Sequence, residues 1–322
     1  MFDFTIKIYN SLLEALSKQG FSFQTFTNFI QKPGDKIIVL RHDVDQLPDN
    51  SVVFSGIEAE KNIKGTFYFR SVPESWDEAV IKEIAEMGHE VGYHYEDVSL
   101  MAGRQKTKVT RQKLGQDKRQ KSQDKRQEEE HNQDYEKYLA EIAIESFKMN
   151  LEKLRKIAPV KTICMHGSPM SKWDSRLLWK YYDYRDFGII GEPYFDVNFS
   201  RMLYLTDTGR TWCGGNVNIR DKGLGIRDEG LGNDFYKDWK VRPVQGSLMN
   251  MTPESLDFQS KYKFRSTSDI IKAAEEGKLP DKIMMTLHPQ RWTDRPIPWV
   301  RELVWQNVKN VGKYFVVKVN SE

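Results

Sequence analysis

The feature that most restricts how this chain can fold is an alternation of short buried strands with amphipathic helices. Runs of β-branched and apolar residues predict strands at residues 36–40, 65–69, 91–94, 161–165, 282–287 and 314–319. Apolar residues at helical spacing separate them, at residues 6–19, 50–62, 135–157 and 297–310. Strands that alternate with helices are typical of parallel α/β folds, whose functional side chains gather at the carboxyl ends of the strands.

Capping residues predict where two further helices begin. Ser75 with Glu78 has the spacing of a capping box, for a helix that runs to residue 87. Ser268 is expected to cap a helix over residues 269–276. A glycine follows each segment and is expected to end it.

Histidines follow the predicted strands more often than chance placement would explain. Four of the six histidines in the sequence do so, namely His42, His94, His166 and His288. Each alone would be read as a packed or surface residue. Because the strand ends of a barrel converge, four histidines at the same ends predict one shared site.

Two aspartates, Asp43 and Asp45, flank Val44 directly after the first strong strand signal. Residues two apart on an extended segment project to the same side, so the pair can share one task. One carboxylate can hold a cation while the other acts as a general base. A helix N-cap or a loop turn is the alternative interpretation of either aspartate.

Imidazole and carboxylate together favour borderline-soft divalent metals such as zinc. We therefore expect Asp45, His94 and one further donor to form a metal site with open positions. His288 is placed to protonate a leaving amine, because histidine titrates near neutral pH.

At this point the sequence resembles a known family. Residues 38–45, 65–69, 88–94 and 286–288 follow, in order, the motifs of the polysaccharide deacetylase (NodB-homology) family. The resemblance covers residues 36–290, apart from a charged insertion. It implies an α/β fold that is a distorted, incomplete (β/α) barrel with about seven parallel strands. It also implies a bound zinc or similar divalent ion and the hydrolysis of an N-acetyl group.

The resemblance implies roles for individual residues. Asp43 would be the catalytic base, His288 the acid, and Asp45 and His94 metal ligands, with His89 a structural partner. Residues 166–169 fall where the family has an arginine–proline motif, and residues 204–212 fall near its aspartate–tryptophan motif. The residues expected to support the base or line the substrate pocket are His42, Asp207, Arg210 and Trp212.

The sequence departs from the family pattern at the metal site. The family has adjacent aspartates where this chain has Val44 between them, and a second metal histidine where this chain has Val98. Valine cannot bind a metal. His166, Asp97 or His42 would then supply the third ligand, or the site is altered or lost. We favour His166, because it lies at a strand end.

The His-Asp-x-Asp form of the motif and the aromatic segment 179–184 resemble a branch of the family associated with bacterial surface polysaccharides, the WbmS-like proteins. That resemblance implies an acetylated sugar of an O-antigen or capsule precursor as the substrate. A carbohydrate-binding relative that has lost the reaction is one alternative function. Hydrolysis of another C–N amide bond, such as a formyl amide, is a second.

The chain, residues 1–322, is expected to be one barrel domain with a low-complexity insertion at about residues 104–133. The insertion repeats a Gln-Asp-Lys-Arg-Gln pattern and has few apolar residues, which predicts a solvated disordered segment or an exposed helix. Amphipathic helix spacing resumes after it, so it interrupts a domain instead of separating two.

Charge and composition bound the partners. The net charge is +3, which argues against a dedicated nucleic-acid binder. Two cysteines, Cys164 and Cys213, do not make a disulfide framework. No secretion signal or membrane span is recognisable, so we expect a cytoplasmic protein.

Overall fold

One curled sheet of parallel strands forms the framework, in a computed structural model that describes residues 2–113, 125–167, 171–210, 212 and 236–319. The strands are β1 Ser22–Gln24, β2 Ile37–Val44, β3 Thr66–Phe69, β4 Glu90–Tyr95, β5 Ile163–Met165, β6 Leu203–Thr206 and β7 Lys282–Leu287. Six of them follow one another in the order β5-β4-β3-β2-β7-β6, and β1 pairs with the first half of β2. The sheet is a half-barrel, which confirms the predicted α/β fold and its incomplete parallel barrel.

Helices connect the strands. They are α1 Ile6–Lys18, α2 Phe26–Gln31, α3 Asp49–Glu60, α4 Glu78–Glu86, α5 Asp97–Lys113, α6 Lys125–Arg155, α7 Leu178–Tyr181, α8 Pro193–Asp196, α9 Pro253–Ser260, α10 Thr267–Glu275 and α11 Pro296–Val319. The predicted charged insertion contains the end of α5 and the beginning of α6. Residues 114–124, at its centre, lie outside the described residues, as does Cys213.

The core divides into two layers because successive side chains of a strand point to opposite faces. On β2, Ile38 and Leu40 belong to the large cluster that contains the apolar faces of α1 and α6. Ile37 and Val39 belong to a second cluster, together with Phe199 of the segment before β6. Odd-numbered residues of β2 thus face the cluster that contains Phe26 of α2, and even-numbered residues face the cluster that contains α1 and α6.

Two predicted caps are wrong by two residues. Asp77, not Ser75, accepts the backbone N–H groups at the start of α4, while the Ser75 hydroxyl donates to the Val44 carbonyl. Ser266, not Ser268, caps α10 and forms a capping box with Asp269. Serine is common both in caps and in loops, so spacing alone did not identify the residue with cap geometry.

The predicted strand at residues 314–319 is also wrong, because these residues continue helix α11. A short apolar run cannot be assigned to strand or helix from periodicity alone. Here it follows a helix without a break. Strands β1 and β6 were not predicted, since each is short and lies in a segment without a continuous β-branched run.

Candidate metal centre

The site lies at the carboxyl ends of β2, β4, β5 and β7. Asp43 is the second-last residue of β2, and Asp45 is the first residue after the strand. His94 is on β4, while His166 and His288 are the residues after β5 and β7. Because all these strands are parallel, their carboxyl ends meet at one edge of the half-barrel.

Three imidazoles turn the same ring nitrogen toward Asp45. Nε2 of His94 lies 3.6 Å and Nε2 of His166 lies 3.5 Å from Asp45 Oδ1. Nε2 of His288 lies 3.9 Å from the other oxygen, Oδ2. The site therefore has one carboxylate at its centre, with two histidines on one oxygen and a third histidine on the other.

A polar contact lies at the far side of each of two rings, a hydrogen bond for His94 and an ion-pair contact for His166. Nδ1 of His94 donates to the carbonyl oxygen of Cys164 at 2.9 Å, because a carbonyl can only accept. Nδ1 of His166 lies 3.1 Å from Oε2 of Glu96. Burial would raise the pKa of Glu96, but His166 and Arg70 beside it lower this pKa to about 2. Both rings thus have Nδ1 beside an acceptor and present Nε2 to the site, the arrangement in which an outer acceptor orients a metal-binding histidine.

The residues present fit a divalent cation. The ligand atoms of Asp45, His94 and His166 all lie within 4.8 Å of one another. Oδ1 of Asp45 is buried and has no hydrogen-bond partner among the described residues, although it faces two ring nitrogens. A carboxylate with two neutral imidazoles is a donor set that suits zinc and related first-row metals. This group could therefore hold a metal ion.

A second group, Asp43, His94 and Cys164, also has its ligand atoms within 4.8 Å of one another. It fits a cation less well. Arg41 donates to both oxygens of Asp43, and burial raises the pKa of the Cys164 thiol well above its usual value. A neutral thiol and a carboxylate already paired with a guanidinium leave His94 as the one available donor of the three.

Asp43 is held as an anion beside the candidate metal ligands. Nε and Nη2 of Arg41 donate to its two oxygens at 2.8 and 2.6 Å, and both side chains are buried. Burial alone would raise the pKa of Asp43, but Arg41, followed by His94, lowers it below its usual value. Oδ2 of Asp43 lies 3.7 Å from Nε2 of His94, so the carboxylate is at the site without belonging to the Asp45 group.

His288 and Asp207 form a buried dyad. Nδ1 of His288 lies 2.5 Å from Oδ1 of Asp207, whose Oδ2 accepts from the backbone N–H of His288 and from the indole of Trp292. Burial would raise the pKa of Asp207, but His288 and Arg291 lower it below its usual value. The ionised Asp207 therefore holds the Nδ1 proton of His288 and leaves Nε2 toward Asp45.

Two residues expected at the pocket lie elsewhere. His42 is fully buried on the face of β2 opposite to Asp43, where its ring stacks on Phe67 and its Nε2 lies 2.8 Å from Glu58. The cause is strand periodicity, since an even-numbered residue of β2 cannot share the face of Asp43. Trp212 packs against Phe4 and Trp292 and is part of the core.

The remaining expected residues have indirect or structural roles. Arg210 donates to the backbone carbonyl of Arg291, and its guanidinium lies over the rings of Phe4 and Trp299, so it supports the loop after β7. Nδ1 of His89 accepts from the N–H of Gly65, which makes it a structural residue.

The residues expected as alternatives for the third metal ligand have different positions in the structure. Asp97 is buried, and its oxygens accept from Tyr93, Ser146 and Asn150. Val98 is packed in the core. Of the three candidates, His166 is the one that the structure brings to Asp45 and His94. Ser168 and Pro169, from the segment expected to match an arginine–proline motif, lie outside the described residues.

Sequence reasoning assigned no role to four residues that shape the site. Arg41 pairs with Asp43, Glu96 orients His166, and Arg70 holds both Glu96 and the backbone carbonyl of Asp45. Gln290 donates to Oδ2 of Asp45 at 3.1 Å. Arg41 lies two residues from Asp43 on the same strand, so the two-residue repeat of extended chain was the available signal for it.

A pocket of about 320 Å³ opens beside Asp45 and His166. Its remaining lining residues are polar, namely Gln46, Arg70, Glu74, Gln290, Arg291 and Gln306. It offers hydrogen-bonding groups to a ligand next to the candidate metal position.

Comparisons with protein-family models, with curated proteins and with solved structures found no match for this chain. Within the described part of the chain, no helix has the length and apolar character needed to span a membrane.

Proposed function

We propose that this protein is a metal-dependent amidohydrolase that removes the N-acetyl group of an amino sugar. The observation that carries the proposal is the buried, unpartnered Oδ1 of Asp45, which faces Nε2 of both His94 and His166. A buried carboxylate oxygen without a hydrogen bond is costly, and a cation shared with two imidazoles removes that cost.

The groups around this position suit hydrolysis of an amide. A divalent cation held by Asp45, His94 and His166 would supply Lewis acidity and make water a stronger acid. Asp43, ionised beside Arg41, is placed to take a proton from the attacking water. The water oxygen adds to the acetyl carbon. Arg41 keeps the carboxylate of Asp43 oriented toward His94 during this step.

His288 completes the reaction on the other side of Asp45. Its Nδ1 is held by Asp207, so its Nε2 is the atom that can deliver a proton to the amide nitrogen. The C–N bond then breaks, acetate keeps the oxygen from water, and the amine leaves with the proton. The proposed base thus lies beside His94, and the proposed acid lies beside Oδ2 of Asp45.

The substrate class rests on the resemblance of the sequence motifs to polysaccharide deacetylases, and the pocket supports it. A volume of about 320 Å³ is at the lower end of ligand pockets, which suits an acetamido group with part of a sugar ring. Glutamine and arginine side chains in its wall can bind the hydroxyl groups of a sugar. We extend the proposal to a precursor of a bacterial surface polysaccharide, either O-antigen or capsule, with zinc as the metal.

Two other functions use the same residues. A carbohydrate-binding relative without activity was suggested by Val98 in place of a metal histidine. The position of His166 weakens that argument, because a third donor is present from another strand. Hydrolysis of a different amide, such as a formyl amide, would use the same base and acid.

The test is to incubate the zinc-loaded protein with N-acetylated and N-formylated amino sugars, free and nucleotide-linked, and to measure acetate and formate. The proposal predicts acetate release that is abolished by a chelator and restored by zinc. Formate release in place of acetate would favour the other amide substrate. Sugar binding without either product, in protein with bound zinc, would favour the inactive relative and contradict the proposal.

A further inference from the structure

Gln290 contacts Asp45, but no step of the proposed reaction uses it. It lies in a short turn, Pro289–Arg291, directly after His288. The residue lines the pocket and is 8% exposed. Nε2 donates to Oδ2 of Asp45 at 3.1 Å, whereas Oε1 is buried and has no hydrogen-bond partner among the described residues.

The orientation of this amide follows from its partner. A carboxylate oxygen can only accept, so the nitrogen of Gln290 must face Asp45 and the oxygen must face away from it. The bond to Oδ2 leaves Oδ1 of Asp45 as the oxygen for the metal position. Oε1 of Gln290 is left as a buried acceptor without a partner among the described residues, in a residue that lines the pocket.

A buried acceptor without a partner is unfavourable until a ligand supplies a donor. The scissile bond of an N-acetylated sugar carries such a donor, the amide N–H. The corresponding O-acetyl ester has the same acyl group and nearly the same size but no N–H. When one of two such substrates leaves a buried polar group of the site unpaired, the site discriminates strongly against that substrate.

We infer that Gln290 selects amides over esters, with Oε1 accepting the N–H of the scissile amide while Nε2 positions Asp45. The inference rests on the proposed function and specifies its substrate class as secondary amides. A hydroxyl of the sugar is the other donor that could reach Oε1. Because a hydroxyl is present in amide and ester substrates alike, it would give Gln290 no preference between them.

The experiment compares two sugars that differ in one group, methyl N-acetylglucosaminide and the methyl glycoside of 2-O-acetylglucose. Gln290→Met keeps the length of the side chain and removes both hydrogen-bonding groups. At saturating zinc, we expect this variant to lose about tenfold more kcat/KM on the amide than on the ester. Gln306→Met, at another glutamine of the pocket wall, is the matched control and should keep the wild-type ratio of amide to ester.

Equal losses on the two substrates in Gln290→Met would overturn the inference, because they would assign Oε1 to a sugar hydroxyl or to no ligand. A binding measurement keeps this result separate from the proposed function. NMR titration of the chelator-treated protein with each sugar involves no turnover. The wild-type protein should bind the amide sugar more tightly than the ester, and Gln290→Met should bind the two equally. An unchanged preference would contradict the inference even if the wild type cleaves neither sugar, an outcome that would by itself reject the deacetylase proposal.

Discussion

Nδ1 of His166 lies 3.1 Å from Oε2 of Glu96, and Nε2 of the same ring lies 3.5 Å from Oδ1 of Asp45. The two carboxylates therefore hold the ring from opposite sides. Arg70 binds both oxygens of Glu96 and so keeps this carboxylate ionised and in place. Where a histidine binds a metal, an outer carboxylate of this kind determines which ring nitrogen is available as a ligand.

Glu96→Gln should weaken zinc binding without removing it. The amide can present an N–H to Nδ1 of His166 and favour the tautomer that is protonated at Nε2. We expect zinc affinity to fall by about 10- to 100-fold, the usual effect of losing an outer partner. Competition with a chromophoric chelator measures it. Glu86→Gln, at an exposed glutamate, is the control, and an equal affinity in both variants would contradict the role of Glu96.

His166→Ala should have a larger effect, because it removes a ligand. Zinc affinity is expected to fall by more than the roughly 100-fold upper range for an outer partner. Asp97→Asn is the matched comparison, since its oxygens accept from Tyr93, Ser146 and Asn150 and are not directed at the metal position. Zinc loss in Asp97→Asn with retention in His166→Ala would reverse the assignment of the third ligand.

His288→Ala separates the acid from the ligands. Nε2 of His288 is 3.9 Å from Asp45, and the residue is not part of the group that could hold a metal. We expect deacetylation to fall by about 10²- to 10⁴-fold, the range for loss of a general acid, with zinc content unchanged. Steady-state kinetics and metal analysis of the same preparation provide both values. A variant that has lost its zinc would make His288 a ligand instead.

The pH dependence of stability should contain a contribution from Asp97. Burial raises the pKa of Asp97 to about 6, which exceeds its value in the unfolded chain. A raised pKa means that the folded state binds the proton more tightly, so this stabilisation is present at low pH and is lost as the pH rises through about 6. Between pH 5 and 7.5 the loss is on the order of 1 to 2 kcal/mol.

Urea unfolding of the wild type and of Asp97→Asn at pH 5 and 7.5 isolates this contribution, because all other groups titrate in both proteins. As the pH rises, the free energy of unfolding of the wild type should fall relative to that of the variant. A difference that is independent of pH would mean that Asp97 does not titrate in this range.

The sequence was sufficient for the alternation of elements and for much of the site. Strand β7 was predicted with its observed bounds, and the carboxyl ends of the strands led to Asp45, His94 and His166 as one group. The short strand β6 was missed because its burial comes from neighbours that are distant in the chain. The strand predicted at residues 314–319 is a helix, because a short apolar run that continues a helix cannot be told from a strand by its periodicity.

The errors at the site have a simple geometric origin. His42 was grouped with the other histidines because it lies at the same strand end, but strand periodicity turns it toward α3 and Glu58. The same periodicity would have identified Arg41 as the partner of Asp43. The contacts of Glu96 with Arg70 and of Gln290 with Asp45 join different strand ends, and no pattern within one segment could predict them.

The most direct test of the account is the metal content of the purified protein. After zinc loading and desalting, elemental analysis should find about one zinc ion per chain in the wild type. It should find none in Asp45→Ala, whereas Asp49→Ala, at an exposed aspartate that begins α3, should match the wild type. Wild-type protein without bound metal, or Asp45→Ala with as much zinc as the wild type, would contradict the claim that Asp45 is the centre of a metal site.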